Sequence, residues 1–118
     1  MKLITDSLAE KLLANGRAQH AAMDQGDDAL DFKPVVKLFT PDAQCTWLLT
    51  ELDPDGVLAF GLCDLGLGEP ELGYVSLAEL ANVRGKLGLP VERDRYFEAD
   101  KSITAYADEA ATRGHIVT

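Results

Sequence analysis

The stretch from Cys45 to Leu65, CTWLLTELDPDGVLAFGLCDL, limits the fold more than any other part of the chain. Two apolar runs, CTWLLTEL and VLAFGLCDL, flank Asp53-Pro54-Asp55-Gly56. Proline presets φ at the first turn position, and glycine accepts the positive φ that follows a type I turn in a tight hairpin. The spacing predicts a hairpin in which Leu52 faces Val57, Leu49 faces Phe60 and Trp47 faces Leu62. Both faces of the two runs are largely apolar, which predicts interior strands covered on at least one side. In that register Cys63 lies opposite Thr46 and Cys45 points to the other face. Cysteines so placed form no disulfide and read as small buried hydrophobes.

Around this hairpin the hydrophobic period changes. SLAEKLLANGRAQHAAM predicts a helix, with Ser7 and Glu10 at capping-box spacing and Leu8, Leu12 and Leu13 on one stripe. Asn15-Gly16 is expected to end or bend it. MDQGDDALDFKP reads as a polar loop, the best candidate for mobility, and PVVKLFT as a short strand. ELGYVS reads as a strand running into a helix capped by Ser76 and Glu79, with Leu77, Leu80 and Val83 at helical spacing. Gly85, Gly88 and Pro90 stop that helix. PVERDRYFE predicts a final edge strand, and Asp100 a cap for a last helix closed by Gly114. The order is that of an α+β domain, a mostly antiparallel sheet of four to five strands with N-terminal, middle and C-terminal helices. At 118 residues one domain, 1–118, is expected.

The net charge of −9 is unevenly spread. Between Leu38 and Val83 there are eight acids, Asp42, Glu51, Asp53, Asp55, Asp64, Glu69, Glu71 and Glu79, and no lysine, arginine or histidine. Such a block repels phosphate backbones, which disfavours direct nucleic-acid binding, and attracts a basic partner surface or a hard cation. A solvated face that maintains solubility explains it equally well. No apolar run approaches the ~20 residues of a membrane span, and no charged segment leads into an apolar one at the start of the sequence. With two cysteines and no disulfide framework, a reducing cytoplasm is the simplest compartment.

Few residues carry a chemical signature. Gly66-Leu67-Gly68-Glu69-Pro70-Glu71-Leu72-Gly73 does not fit G-x-G-x-x-G, and acids stand where a phosphate would sit. The segment is expected to be strand, glycine turn, strand and helix cap. Asp64, Glu69 and Glu71 suggest Mg²⁺ or Ca²⁺ ligation or acid–base work, which requires them to share a concave pocket. Their spacing matches no cation loop. His20 and His115 have no sequence link to either cysteine, and neither C-x-x-C nor H-x-x-H is present. Arg84, Lys86, Arg93 and Arg95 form a modest basic cluster, interleaved with Glu92 and Asp94 as on a charge-compensated edge. Trp47 and Tyr74 are interface-anchor candidates, although a Trp inside a strand is more simply core.

Several stretches together, NGRA, PVVKLFTPDA, TWLLTELDPD, AFGLCDLGLGEPELGYVSLAEL and GLPVERDRYF, resemble the bacterial family catalogued as domain of unknown function 2958. The likeness runs from about Leu12 to Phe97, leaving 98–118 as a helical extension. It implies a bacterial protein common in proteobacteria, often on plasmids and integrative elements near anti-restriction and replication genes. It assigns no activity, and no residue inherits a role from it.

These readings converge on a small, acidic, non-catalytic accessory protein of mobile elements that binds a protein with a basic surface. Asp53, Asp55, Asp64, Glu69 and Glu71 are its expected binding residues, and no metal or other cofactor is expected. One alternative is an anti-restriction or anti-CRISPR inhibitor presenting an acidic DNA-mimic surface. Another, from a different class, is a metal-dependent hydrolase using Asp64, Glu69 and Glu71. The sequence assigns no oligomeric state.

Overall fold

In a computed structural model that describes residues 3–118, the predicted hairpin is the middle of a five-stranded antiparallel sheet. The strands are β1 (Val36–Phe39), β2 (Thr46–Leu52), β3 (Leu58–Asp64), β4 (Glu71–Ser76) and β5 (Glu92–Arg93), ordered β4-β3-β2-β1-β5 across the sheet. Helices α1 (Asp6–Asp24), α2 (Leu77–Leu80) and α3 (Ile103–Arg113) complete the α+β architecture. Among the described residues no helix is long and apolar enough to cross a membrane.

The sheet is covered on both faces, as two apolar strand faces require. Val36, Leu38, Trp47, Leu49, Leu52 and Ala59 pack with Leu12 of α1 and Leu80 of α2. On the opposite face Leu48 and Leu62 pack with Ile103, Tyr106 and Ala110 of α3 and with Ile116 beyond it. Leu12, Leu38, Leu48, Leu49 and Leu62 are fully buried, each stabilising the fold by roughly 1.5–3 kcal/mol. Trp47 is therefore core.

The hairpin forms at the predicted turn, but in a different register. The Gly56 N–H donates to the Asp53 carbonyl at 2.8 Å and Gly56 has φ 74°, as the tetrapeptide requires. Asp55 Oδ1 then accepts the N–H groups of Val57 and Leu58, which takes Val57 out of the ladder. Leu52 accordingly pairs with Ala59, not Val57. A bulge between Leu49 and Glu51 shifts the register again, so that Leu49 faces Gly61 and Trp47 faces Cys63. The expected opposite placement of the cysteines falls with it, because Cys45 and Cys63 both pack against the α1-side core, as free thiols.

Several element ends also differ from expectation. Thr5, not Ser7, caps α1, accepting the Leu8 N–H at 3.2 Å. The earlier start places Ile4 just ahead of the cap, where it joins Ala9 in the core as a hydrophobic staple. Asn15-Gly16 does not break the helix, which continues to Asp24. The expected polar loop is anchored: Gln19 binds the N–H and C=O of Leu30, at 2.8 and 3.0 Å, and the Phe32 carbonyl accepts the Ile103 N–H.

α2 stops at Leu80 because the Asn82 and Val83 N–H groups turn to the carbonyls three residues back. β5 is only two residues long, since the Asp94 carboxylate captures the Tyr96 N–H and turns the chain. Ser102 caps α3, while Asp100 accepts the Tyr106 hydroxyl instead, and Gly114 ends the helix as expected.

Candidate functional site

The acidic block does not form one face. Asp53 and Asp55 sit in the β2–β3 turn, whereas Asp64, Glu69 and Glu71 lie at the far end of β3 and the start of β4. The length of a seven-residue strand, roughly 20 Å, separates the two groups.

Five of the eight carboxylates have a partner within the chain. Asp42 Oδ2 accepts the N–H groups of Leu87 and Leu89 and so shapes the loop before β5. Glu51 is buried beside Gln19 and Thr50, and burial raises its carboxyl above the ordinary range against the opposing effect of those two hydrogen bonds. Asp53 lies 3.6 Å from His20 Nε2. Asp55 is held below the usual carboxylate range by the Val57 and Leu58 N–H groups. Asp64, also buried, accepts the Gly66 N–H at 2.9 Å and the Ile116 N–H at 3.0 Å. Of these eight, Glu69, Glu71 and Glu79 have carboxylates without a partner among the described residues, and all three are exposed.

A groove of about 900 Å³ opens between Cys45, Asp64, Arg93, Arg95, Tyr96 and His115. Asp64 lines it but Glu69 and Glu71 do not, so the three acids share no pocket. No group of three or more His, Cys, Asp or Glu side chains suited to a metal ion occurs among the described residues. Of the basic cluster, Arg93 and Arg95 line this groove. Arg84 donates to the Ala81 and Val83 carbonyls, and Arg93 reaches the Leu3 carbonyl on another segment.

The free acids instead border an apolar edge. Leu65, Leu67, Leu72 and Tyr74 are 56%, 80%, 41% and 64% exposed, which gathers four of the ten large exposed hydrophobics of the described residues into the β3–β4 turn and β4. Tyr74 rests edge-on against Phe60, with ring centroids 5.1 Å apart, so its position is fixed although its outer face is open. β4 has a neighbour on one side only. The Leu77 N–H donates to the Val57 carbonyl at 2.8 Å, which fixes the phase of the β3–β4 ladder. Bonded pairs alternate in an antiparallel ladder, so Gly73 and Val75 bond β3 while Leu72 and Tyr74 turn their N–H and C=O groups outward.

The sequence pattern singles out Tyr74, Glu69 and Glu71, counts Glu79 only within the acidic block, and does not mark Leu65, Leu67 and Leu72. The available signal was GLGEPELGY itself, a turn with leucines between glycines. Nothing in it showed that β4 would be an edge.

Residues 3–117 match the family described as Protein of unknown function (DUF2958). The chain belongs to the DUF2958 family. The DUF2958 match takes in residues 98–117, beyond the Leu12–Phe97 likeness, and these residues form α3 and the tail held by Asp64. No curated protein and no solved structure matches the chain.

Proposed function

We propose that this DUF2958 protein is a non-catalytic binding module that docks another protein on the β3–β4 turn and the β4 edge. The observation that carries the reading is the run of exposed Leu65, Leu67, Leu72 and Tyr74 along the β3–β4 turn and β4, with the unpartnered Glu69 and Glu71 between them in the chain and Glu79 just past the strand. Contiguous apolar side chains rimmed by charge are the usual composition of a protein interface, with an aromatic anchor near the centre. The rim is negative, so the partner presents a basic surface.

Protein docking is favoured over DNA mimicry, because mimicry needs a regular row of free carboxylates and five of the eight are occupied internally. A hydrolase built on Asp64, Glu69 and Glu71 is disfavoured for a related reason, since Asp64 spends both oxygens on backbone N–H groups. Association with mobile elements and an anti-defence role are proposals that rest on the family resemblance. A cytoplasmic location is a further proposal, resting on two cysteines without a disulfide framework.

The test is affinity capture from a bacterial lysate with the wild type, Leu67→Ser/Tyr74→Ser and, as a control on the groove, Tyr96→Ser. A partner lost only by the double variant supports docking on this edge. A partner retained by the double variant, or lost only by Tyr96→Ser, overturns it.

A further inference from the structure

β4 lacks the devices that normally protect a sheet edge. Edges are usually blunted by lysine, proline, a bulge or shortness. β4 pairs with β3 in one uninterrupted register over six residues, contains no lysine, arginine or proline, and carries a single charge, Glu71, at its start. The opposite edge, β5, shows the contrast, being two residues long with both residues charged. The outward-facing backbone groups on β4 belong to Leu72 and Tyr74, the same residues whose side chains stand exposed, Tyr74 against Phe60. Unused backbone donors and acceptors thus lie alongside an apolar shelf, the arrangement that receives an added strand.

Charge selects the occupant. Glu71 opens the strand, Glu69 precedes it and Glu79 lies just past its end, all without a counter-charge among the described residues. A second copy pairing edge to edge would bring two such sets together, and like charges across a ladder are destabilising. A segment carrying lysine or arginine meets all three.

We propose that β4 is completed by an extended basic segment of another protein. The segment adds as a sixth strand through the N–H and C=O groups of Leu72 and Tyr74. Its apolar side chains lie on Leu72 and Tyr74, and its cationic ones face Glu69, Glu71 and Glu79. This rests on the docking function proposed above and specifies the partner's chemistry and mode of binding.

The test follows amide hydrogen exchange at Leu72 and Tyr74 in the full chain. The probes are a short peptide of alternating valine and lysine, its valine–glutamate counterpart, and a valine–lysine peptide N-methylated at every backbone amide. The valine–lysine peptide is expected to slow both amides by about tenfold or more, and the other two to leave them unchanged. No slowing, or equal slowing by all three peptides, overturns the proposal. Concentration-dependent protection without peptide, with a dimer by sedimentation, assigns the edge to a second copy and also overturns it.

Leu72→Pro removes one outward donor without removing a bond to β3, and is expected to abolish the effect. The N-methylated peptide tests the same bonds without altering the protein. In the capture experiment, a partner lost by Leu67→Ser/Tyr74→Ser but retained by a folded Leu72→Pro leaves docking intact and overturns strand addition. A partner retained by both variants overturns both.

Discussion

Gly16 of α1 lies so close over β2 that a β-carbon on it would stand 2.1 Å from the Leu52 carbonyl oxygen. The residues on either side complete the contact. Asn15 donates to the Thr50 carbonyl at 3.0 Å, and Gln19 donates to Glu51 at 3.3 Å. The helix therefore reads the β2 bulge through polar groups and meets the strand through a missing side chain.

Gly16→Ala tests that contact against helix propensity. In an exposed helix the change would stabilise by about 1 kcal/mol. Here the methyl group meets backbone, which cannot turn aside as a side chain could, so a net destabilisation of about 2 kcal/mol or more is expected. The urea midpoint should fall with the slope unchanged. An unchanged or higher midpoint would refute the close approach.

Gln19→Leu keeps similar bulk but removes the clamp on both backbone groups of Leu30 and the donor to Glu51. Leaving such groups unsatisfied costs about 1–3 kcal/mol. The Leu30 amide should exchange much faster while amides of β2 and β3 slow-exchange as before relative to global stability. Unaltered Leu30 protection would show that the clamp does not anchor the loop.

Glu51 gives a pH dependence with a definite sign. Burial, the largest cause, raises its folded pKa above 4.5. Between the unfolded and folded values the native state holds a proton that the unfolded chain has released, so this site's contribution is full below the unfolded value and is lost as pH rises through the folded one. Glu51→Gln should therefore raise the thermal midpoint by a few degrees at neutral pH. That gain should shrink toward zero once the pH drops below the unfolded carboxyl value. A gain independent of pH would mean that ionisation of Glu51 is not its source.

Asp64 ties the C-terminal segment to the end of β3. Asp64→Ala frees the Gly66 and Ile116 N–H groups together and is expected to cost about 1–3 kcal/mol. Asp64→Asn keeps one accepting oxygen and should fall between Ala and wild type. Limited proteolysis should release the residues after α3 soonest in the Ala variant. Equal resistance in all three proteins would remove Asp64 from that role.

What could be read in the sequence was largely local. The Asp53–Gly56 turn specifies itself through proline and glycine, and Ser76 caps α2 three residues from its partner N–H, as expected. The hairpin register depended on Asp55 taking the N–H groups of Val57 and Leu58 and on a bulge that α1 supports from far along the chain. The acids were visible as a block, but their uses were not, because Asp42 answers Leu87 and Asp64 answers Ile116. β4 itself was legible as a strand. Its position as an open edge follows from β5 pairing with β1, an order that no local pattern states.

The two faces of the sheet also differ in when they can be closed. α1 precedes every strand in the chain, so Trp47 and Leu49 find their cover already made as they leave the ribosome. α3 follows β5, so Leu48 and Leu62 emerge before the helix that shields them has left the ribosome. Nascent chains whose emerged portion ends between Arg93 and Ile103 should therefore present a greasy half-sheet, which makes that interval the natural moment for chaperone capture or misassembly.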